Sequence, residues 1–369
     1  MRAALIVFKG LPIYGIQLAN GLSGSADVHL FLADVATAPY ADRVDPGVTL
    51  HPVKTRRYRN PAGLFVSLDI ISRIRKLRCD VAHLVLNEPW FNVCVPFIRS
   101  FPLVTTVHDV RYHVGDRRSS IVPQWVTDLA TRYSTGLVVH GAGLKAQVCA
   151  EFGISPEHVF NIPHMNYSFY RHWELPGLTE RTNNILFFGS IWEYKGLRYL
   201  MEAEPLLAEA LGGFTITIAG RGEDLAKYRP YMSDPDRYEI INEFVPDRAV
   251  APLFQQASIV VLPYIDASQS GVVPLAFAFG KPVVATGVGS VPEMIDHGVD
   301  GLIVEPRDSR ALAAAIISIL GNPALKRRMS ENARRKAETE LSWSRVAGLH
   351  LDAYAATAER FAATRSRHG

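Results

Sequence analysis

The sequence predicts an α/β protein built from two doubly wound parallel sheets. Three observations carry that expectation. Across residues 258–307, β-branched runs at Ile259–Leu262, Val283–Thr286 and 302–304 alternate with helical segments, in the order strand, loop, helix, strand, helix, strand. Short apolar runs of the same kind recur through the first half, at 27–32, 48–52, 81–86, 102–107, 136–140 and 159–162. Finally, 369 residues that are 48% hydrophobic suffice to bury two ordinary cores.

The chain opens on Met-Arg-Ala-Ala-Leu-Ile-Val-Phe, an apolar run too short for a signal-peptide core with its cleavage site, and so read as a first buried strand. A glycine-bearing loop through Tyr14 and Gly15 follows, then a helix from Ile16. The loop lacks G-x-G-x-x-G and no acidic ribose ligand comes at the usual distance, which excludes a nicotinamide cofactor. Thr55-Arg-Arg-Tyr58 leads into a helix with apolar Leu64, Phe65, Leu68, Ile71, Ile74 and Leu77 and basic Arg73, Arg75, Lys76 and Arg78. Segment 55–78 is therefore either a sheet-covering helix with a solvated basic face or a peripheral anchor on an anionic membrane.

Thr105-Thr-Val-His108-Asp-Val-Arg111 places His108 at the carboxyl end of a strand, where ligands of parallel sheets sit. Arg111 and Tyr112 are candidate acceptor contacts. His113 and Asp116 nearby do not complete a tetrahedral set, so a metal is not expected. Residues 168–183 are aromatic and turn-rich and read as a linker.

In the second half, a strand from Asn184 ends at Gly189-Ser190, and Lys195-Gly196 opens the next helix. Arg221 follows another strand, and 240–247 forms a further strand-end loop with Phe244 and Val245. The loop Asp266-Ala-Ser-Gln269-Ser270-Gly271-Val272 must leave a strand and enter a helix near Ser270. Backbone N–H groups there have no intrahelical acceptor, and an anion is the natural partner. A diphosphate on Ser270, Gly271 and Val272 would gain roughly 0.3 to 2 kcal/mol from the helix dipole. Ser290-Val-Pro-Glu293 reads as a capping box rather than a catalytic carboxylate. Asp308 and Asn322-Pro323 start two more helices, Gly321 ends the first of them, and a helix from Ser342 closes the chain.

Pro263, the Gln-Ser-Gly loop, Gly280-Lys-Pro-Val-Val, Thr286-Gly-Val-Gly-Ser-Val-Pro-Glu293 and Gly298-Val-Asp-Gly-Leu-Ile-Val304 keep an order and spacing that resembles the donor site of family 4 retaining glycosyltransferases of the GT-B fold. Thr106-x-His108-Asp109 and Lys195-Gly196 resemble further stations of that family. The resemblance implies two Rossmann-like domains facing each other across a cleft. They would be an acceptor domain at 1–167, the linker 168–183, a nucleotide-sugar domain at 184–341, and a helix at 342–369 returning to the first domain. It also implies roles. His108 would be the catalytic residue beside the donor sugar, with Gly15, Asp266 and Gln269 also on that sugar. Lys195, Ser190, Arg221, Ser270, Gly271 and Val272 would hold the diphosphate, and Phe244 and Val245 would meet the base.

The departures are as informative. Family members carry an arginine where this chain has Ser190, and two glutamates where it has Ala267 and Leu275. Arg221 is the candidate replacement for the first and Asp266 for one of the second.

Net charge is +3, which gives no reason to expect nucleic acid. Cys79, Cys94 and Cys149 are far apart and odd in number, against a disulfide framework and for a reducing compartment. No run approaches the roughly 18 apolar residues of a membrane span. The expectation is thus a cytoplasmic enzyme, working at the inner membrane face if 55–78 is an anchor. It would need no cofactor beyond a UDP- or GDP-sugar co-substrate, and would move a hexosyl group to a glycan or lipid-linked acceptor in bacterial polysaccharide or glycolipid synthesis. The rivals are a non-catalytic nucleotide-sugar-binding protein of the same fold and a nucleotide-sugar epimerase.

Overall fold

Near-continuous runs of Val, Ile, Leu and Ala cannot leave one face wet, so they pair as parallel strands covered by helices on both sides. The computed structural model describes residues 1–8, 10–58, 60–111 and 122–366. These divide into two compact units, one of residues 1–111, 122–163 and 343–366 and one of 164–342.

The first unit holds β1 (Arg2–Val7), β2 (Asp27–Ala33), β3 (Val48–Val53), β4 (Val81–Leu84), β5 (Leu103–Val107), β6 (Gly136–Val139) and β7 (Val159–Asn161), in the order β3-β2-β1-β4-β5-β6-β7. Every pairing in it is parallel. Its helices are α1 (Pro12–Ser23), α2 (Asp34–Tyr40), α3 (Ala62–Leu77), α4 (Pro89–Cys94), α5 (Gln124–Tyr133) and α6 (Ala142–Phe152).

The second unit holds α7 (Leu197–Ala210), α8 (Asp247–Gln256), α9 (Val272–Ala278), α10 (Ser309–Leu320) and α11 (Pro323–Glu338) around a six-stranded parallel sheet. That sheet comprises β8 (Asn184–Phe188), β9 (Thr215–Ala219), β10 (Tyr238–Ile241), β11 (Ile259–Leu262), β12 (Val283–Thr286) and β13 (Gly301–Val304), in the order β10-β9-β8-β11-β12-β13. Beyond it, α12 (Trp343–Ser366) belongs to the first unit. The division between units falls after Pro163; Tyr167, assigned to the first domain, and Tyr170 and Trp173, read as linker, pack on the second unit's apolar core.

Local signals set most boundaries. Asp308 and Asn322 cap α10 and α11 by accepting from Ala311 N and Leu325 N at 2.8 and 3.0 Å. Two expectations fail. The second helix in 258–307 is a single 3₁₀ turn, Val291–Glu293, and the Ser290 side chain makes no cap bond. Phe65 and Leu68, assigned by spacing to the packed face of α3, are exposed; its buried face is Gly63, Ser67, Ile70, Ile71 and Ile74.

α12 is fastened to the first sheet by a buried polar relay. His83 Nδ1 bonds the Tyr354 hydroxyl and His83 Nε2 the Thr106 hydroxyl, both at 2.7 Å. His350 is fully buried, its Nδ1 2.8 Å from Val346 O, and burial lowers its pKa from 6.5 to about 4. Burial and Arg73 likewise lower His51 to about 4. The unfolded chain takes up these protons near pH 6.5, while the folded chain resists them. Stability is therefore complete above about pH 6.5 and falls as the pH drops toward 4. His350 alone is expected to cost about 3 kcal/mol across that window, and the half-exposed His51 less. Thermal melts from pH 7.5 to 4.5 check this, and His350→Phe should flatten the slope.

Candidate active site

In the second unit, β8 lies between β9 and β11, so the connections leaving β8 and β11 diverge and open a crevice at the strands' carboxyl ends. The loops flanking that crevice are joined through their backbones. Ile265 N donates to Tyr194 O at 2.8 Å. Gly196 has φ +66°, and a Cβ there would stand 1.8 Å from Pro263 O. Gly220, with φ +154°, would place a Cβ 1.7 Å from Gly189 O. Only glycine permits both the angle and the approach.

This junction sets the position of Lys195. Its ammonium lies 3.7 Å from the centroid of the Tyr264 ring and 5.1 Å from that of Tyr194. Among the described residues no carboxylate pairs with it. The Tyr264 hydroxyl in turn lies 3.3 Å from Ser270 Oγ. Lys195 and the Gln-Ser-Gly loop thus border one spot, with a tyrosine between them.

The loop itself is more occupied than its sequence suggested. α9 begins at Val272 rather than near Ser270 and has only seven residues, which limits any dipole contribution. Val272 N donates to Ser270 Oγ at 3.3 Å, so that amide is partly satisfied. The Gly271 amide has no acceptor among the described residues. A Cβ on Gly271 would lie 3.4 Å from the Tyr167 hydroxyl, which burial keeps protonated by raising its pKa. Gln269 Oε1 accepts from His164 Nε2 at 2.7 Å, a buried histidine that no sequence motif singled out. Asp266 N lies 3.4 Å from Tyr194 O, beside the same junction.

Ser190 is half-buried between Gly189 and Ile191, and Arg221 is exposed on the neighbouring strand end, its carbonyl accepting from Ile191 N at 3.1 Å. Among the described residues no carboxylate pairs with Arg221. Phe244, after β10, is 70% exposed, while Val245 packs on the core. Ala267 and Leu275, at the positions where the resemblance implied glutamates, are buried in the apolar cluster.

In the first unit, His108 follows β5. Its Nε2 lies 3.0 Å from Val85 O at the end of β4, so Nε2 carries the proton. Burial lowers its pKa, leaving a neutral imidazole near pH 7. Tyr14 meets it edge-on, with centroids 6.0 Å apart, and His140 lies 5.4 Å away.

Two expectations in this unit are corrected. Gly15 is not in a sugar-facing loop but inside α1, which starts at Pro12; a Cβ there would be 2.4 Å from Val7 Cγ2, so close helix–strand packing requires the glycine. Arg111 is ion-paired with Asp128 at 3.6 Å and with Glu151, and its charge is spent inside the unit. Tyr112, His113 and Asp116 lie outside the described residues.

A cavity of about 160 Å³ opens instead at the ends of β1, β3 and β4, lined by Phe8, Thr55, Arg56, Tyr58, Asn87 and Glu88 among others. The buried Thr55 hydroxyl has no partner among the described residues. Glu88 Oε2 accepts from Phe91 N at 2.8 Å as the cap of α4, and burial raises its pKa. The Glu88-Pro89 pair is a helix-start signal legible in the sequence; that it lines a cavity is not.

Residues 8–165 match the family described as Glycosyltransferase Family 4, and residues 182–322 match Glycosyl transferases group 1. The chain belongs to the family 4 glycosyltransferases. This glycosyltransferase is 27% identical to a D-inositol 3-phosphate glycosyltransferase of Pseudarthrobacter chlorophenolicus, with 95% of this chain and 91% of that protein covered. In fold it is similar to a sucrose-phosphate synthase of Thermosynechococcus elongatus, at TM-score 0.72 and 19% identity, covering 98% of this chain and 100% of that one. It is also similar to the Anabaena protein Alr3699/HepE in complex with UDP and glucose, at TM-score 0.70 and 18% identity, covering 95% and 98%. The glycosyltransferase therefore has the GT-B fold of two Rossmann-like domains.

Proposed function

We propose that this glycosyltransferase is a retaining enzyme that moves a hexosyl group from a UDP- or GDP-sugar to an acceptor hydroxyl without a metal ion. The observation that carries this reading is the junction at the second unit's crevice, where the Lys195 ammonium sits over Tyr264 beside the Gln-Ser-Gly loop. Lys195, Arg221, the Ser190 hydroxyl and the Gly271 amide form the diphosphate site, and Phe244 offers a face for the base. Gln269 and Asp266 stand on the donor-sugar side. Two cations and fixed amides stabilise charge as it grows on the leaving diphosphate, the kind of preorganised electrostatics that dominates such reactions.

The bond between C1 and the diphosphate oxygen breaks as the acceptor oxygen bonds C1 from the same face. The acceptor proton passes to the departing phosphate oxygen. Ala267 and Leu275 carry no nucleophilic atom, which agrees with such a route. The cavity holding Thr55, Arg56, Asn87 and Glu88 is the acceptor subsite of the first unit: it offers donors and acceptors to a polyhydroxylated group over the apolar floor of Phe8. The setting is cytoplasmic synthesis of a bacterial polysaccharide or glycolipid.

A panel of UDP- and GDP-sugars, with mass detection of released nucleotide, tests the reaction. Nucleotide binding without release across the panel would overturn it. A product of inverted anomeric configuration would overturn the retaining route. His108→Ala is expected to lower kcat by roughly tenfold to a hundredfold while nucleotide affinity changes less than about threefold. An equal loss in both would take His108 off the reacting sugar.

A further inference from the structure

We propose that the outer face of the α3–α4–α5 layer docks this glycosyltransferase on an anionic lipid bilayer. The three helices bury their other sides in one apolar cluster through Ile70, Ile71, Phe91, Cys94 and Ala130, so they cover the same face of the first sheet. α3 packs beside α4 and α4 beside α5. Arg75 Nε donates to Ser100 Oγ at 2.7 Å, which ties the end of α3 to the segment following Phe97.

On the solvent side of this layer stand Phe97, 77% exposed, Phe65, 72%, and Trp125, 62%, with Leu68 and Tyr133 also exposed. Apolar side chains at 65 and 68 continue along α3 into Arg75 and Lys76, one stripe at helical spacing. Charge flanks the same helix at both ends. Residues 54–78 carry eight arginines and lysines against one aspartate, while the whole chain nets only +3, so the remainder is net acidic. Arg73 turns inward to His51 and Phe31, but Lys54, Arg56, Arg57, Arg75, Lys76 and Arg78 are exposed.

Cations alone would suit any polyanion. A soluble polyanion would leave Phe65, Leu68, Phe97 and Trp125 wet, whereas the headgroup region of an anionic bilayer accepts aromatic and aliphatic side chains together with basic ones. Gly63 and Val66 of α3 line the cavity assigned above to the acceptor, so the docking face begins at that cavity's rim. Resting on the acceptor reading, this deepens it: the acceptor is anchored in the lipid, its polar head entering the cavity while its chains stay in the bilayer.

Flotation of the full chain with phosphatidylcholine vesicles, with and without about one-third phosphatidylglycerol, tests the docking. Partition onto the anionic vesicles is expected to exceed that onto neutral ones by about tenfold or more and to fall with added salt. Phe65→Ser with Trp125→Ser, and separately Arg75→Glu with Lys76→Glu, should each lower it about tenfold, whereas Val35→Ser, an exposed apolar site on α2, should not. Equal partition onto both vesicles would overturn the proposal, as would an aromatic double variant that still floats like the parent, the behaviour of a site for soluble polyanions. Near-UV circular dichroism confirms that the variants are folded. Nucleotide release from the donor sugar in solution, measured on the same proteins, should be unchanged in both double variants. A parent that floats but never releases nucleotide leaves the docking standing and sinks the transfer reading instead.

Discussion

Lys195→Ala is expected to lower kcat/KM by roughly 10²- to 10³-fold while leaving the melting temperature within a few degrees of the parent. The reason lies in the scarcity of charge at the proposed diphosphate site. With Ser190 where the family resemblance implies an arginine, Lys195 and Arg221 would be the cations available to the leaving group. A charged hydrogen bond contributes about 1.5 to 3 kcal/mol, and more of it is felt as the transition state gathers charge. Lys195 has no carboxylate partner among the described residues, so its removal strands no buried charge and should not unfold the unit. Steady-state kinetics on the donor that releases nucleotide, with a parallel melt, decides the matter: turnover equal to the parent would end the diphosphate assignment. Arg221→Ala, more exposed and farther along the sheet, should cost less.

Gly196→Ala should damage fold and site together. Its φ of +66° is unfavourable for any L side chain, and an added Cβ would stand 1.8 Å from the Pro263 carbonyl, a backbone atom that cannot turn away. Strain and overpacking together predict a loss of about 2 to 4 kcal/mol. Because Gly196 adjoins Lys195 and seats its loop against the one carrying Tyr264, nucleotide affinity should fall as well. The pairing of the two variants is diagnostic. Lys195→Ala loses chemistry with stability intact, and Gly196→Ala loses both, as denaturant titration and nucleotide titration calorimetry would read. A Gly196→Ala protein as stable as the parent would mean that the two loops are not packed together in solution.

Much of the fold was legible because parallel sheets write themselves plainly. Runs such as Ile259–Leu262 and Val283–Thr286 are too uniformly apolar to be half-exposed, and their alternation with helical spacing leaves few topologies. Caps were legible where one side chain suffices, as at Asp308 and Asn322. The same logic failed at Ser290 and Glu293, whose spacing suits a capping box but whose helix is one 3₁₀ turn, because the chain is drawn away by the Ser290 N to Ser268 O bond at 3.0 Å. Gly15 was misjudged for a related reason. A glycine near a strand end resembles a ligand loop, yet Pro12 at the first position of α1 had already started the helix. On α3, period alone could not tell a buried Phe65 from an exposed one, because a stripe wide enough for both the core and a second surface has the same spacing.

What the sequence determined by itself is the architecture and the identity of the polar residues at the strand ends, since both follow from local pattern: apolar period, glycine, proline and single caps. What only the tertiary structure decided is which of those residues share a site. Lys195 comes to the Gln-Ser-Gly loop because Gly196 admits Pro263 and Tyr264 spans the gap, Gln269 is held by His164 from 105 residues away, and Arg111 is withdrawn into its pair with Asp128 and Glu151. Contacts of that kind depend on the packing of backbones distant in the chain, where a displacement of one ångström makes or breaks a bond, and no local pattern of residues encodes it.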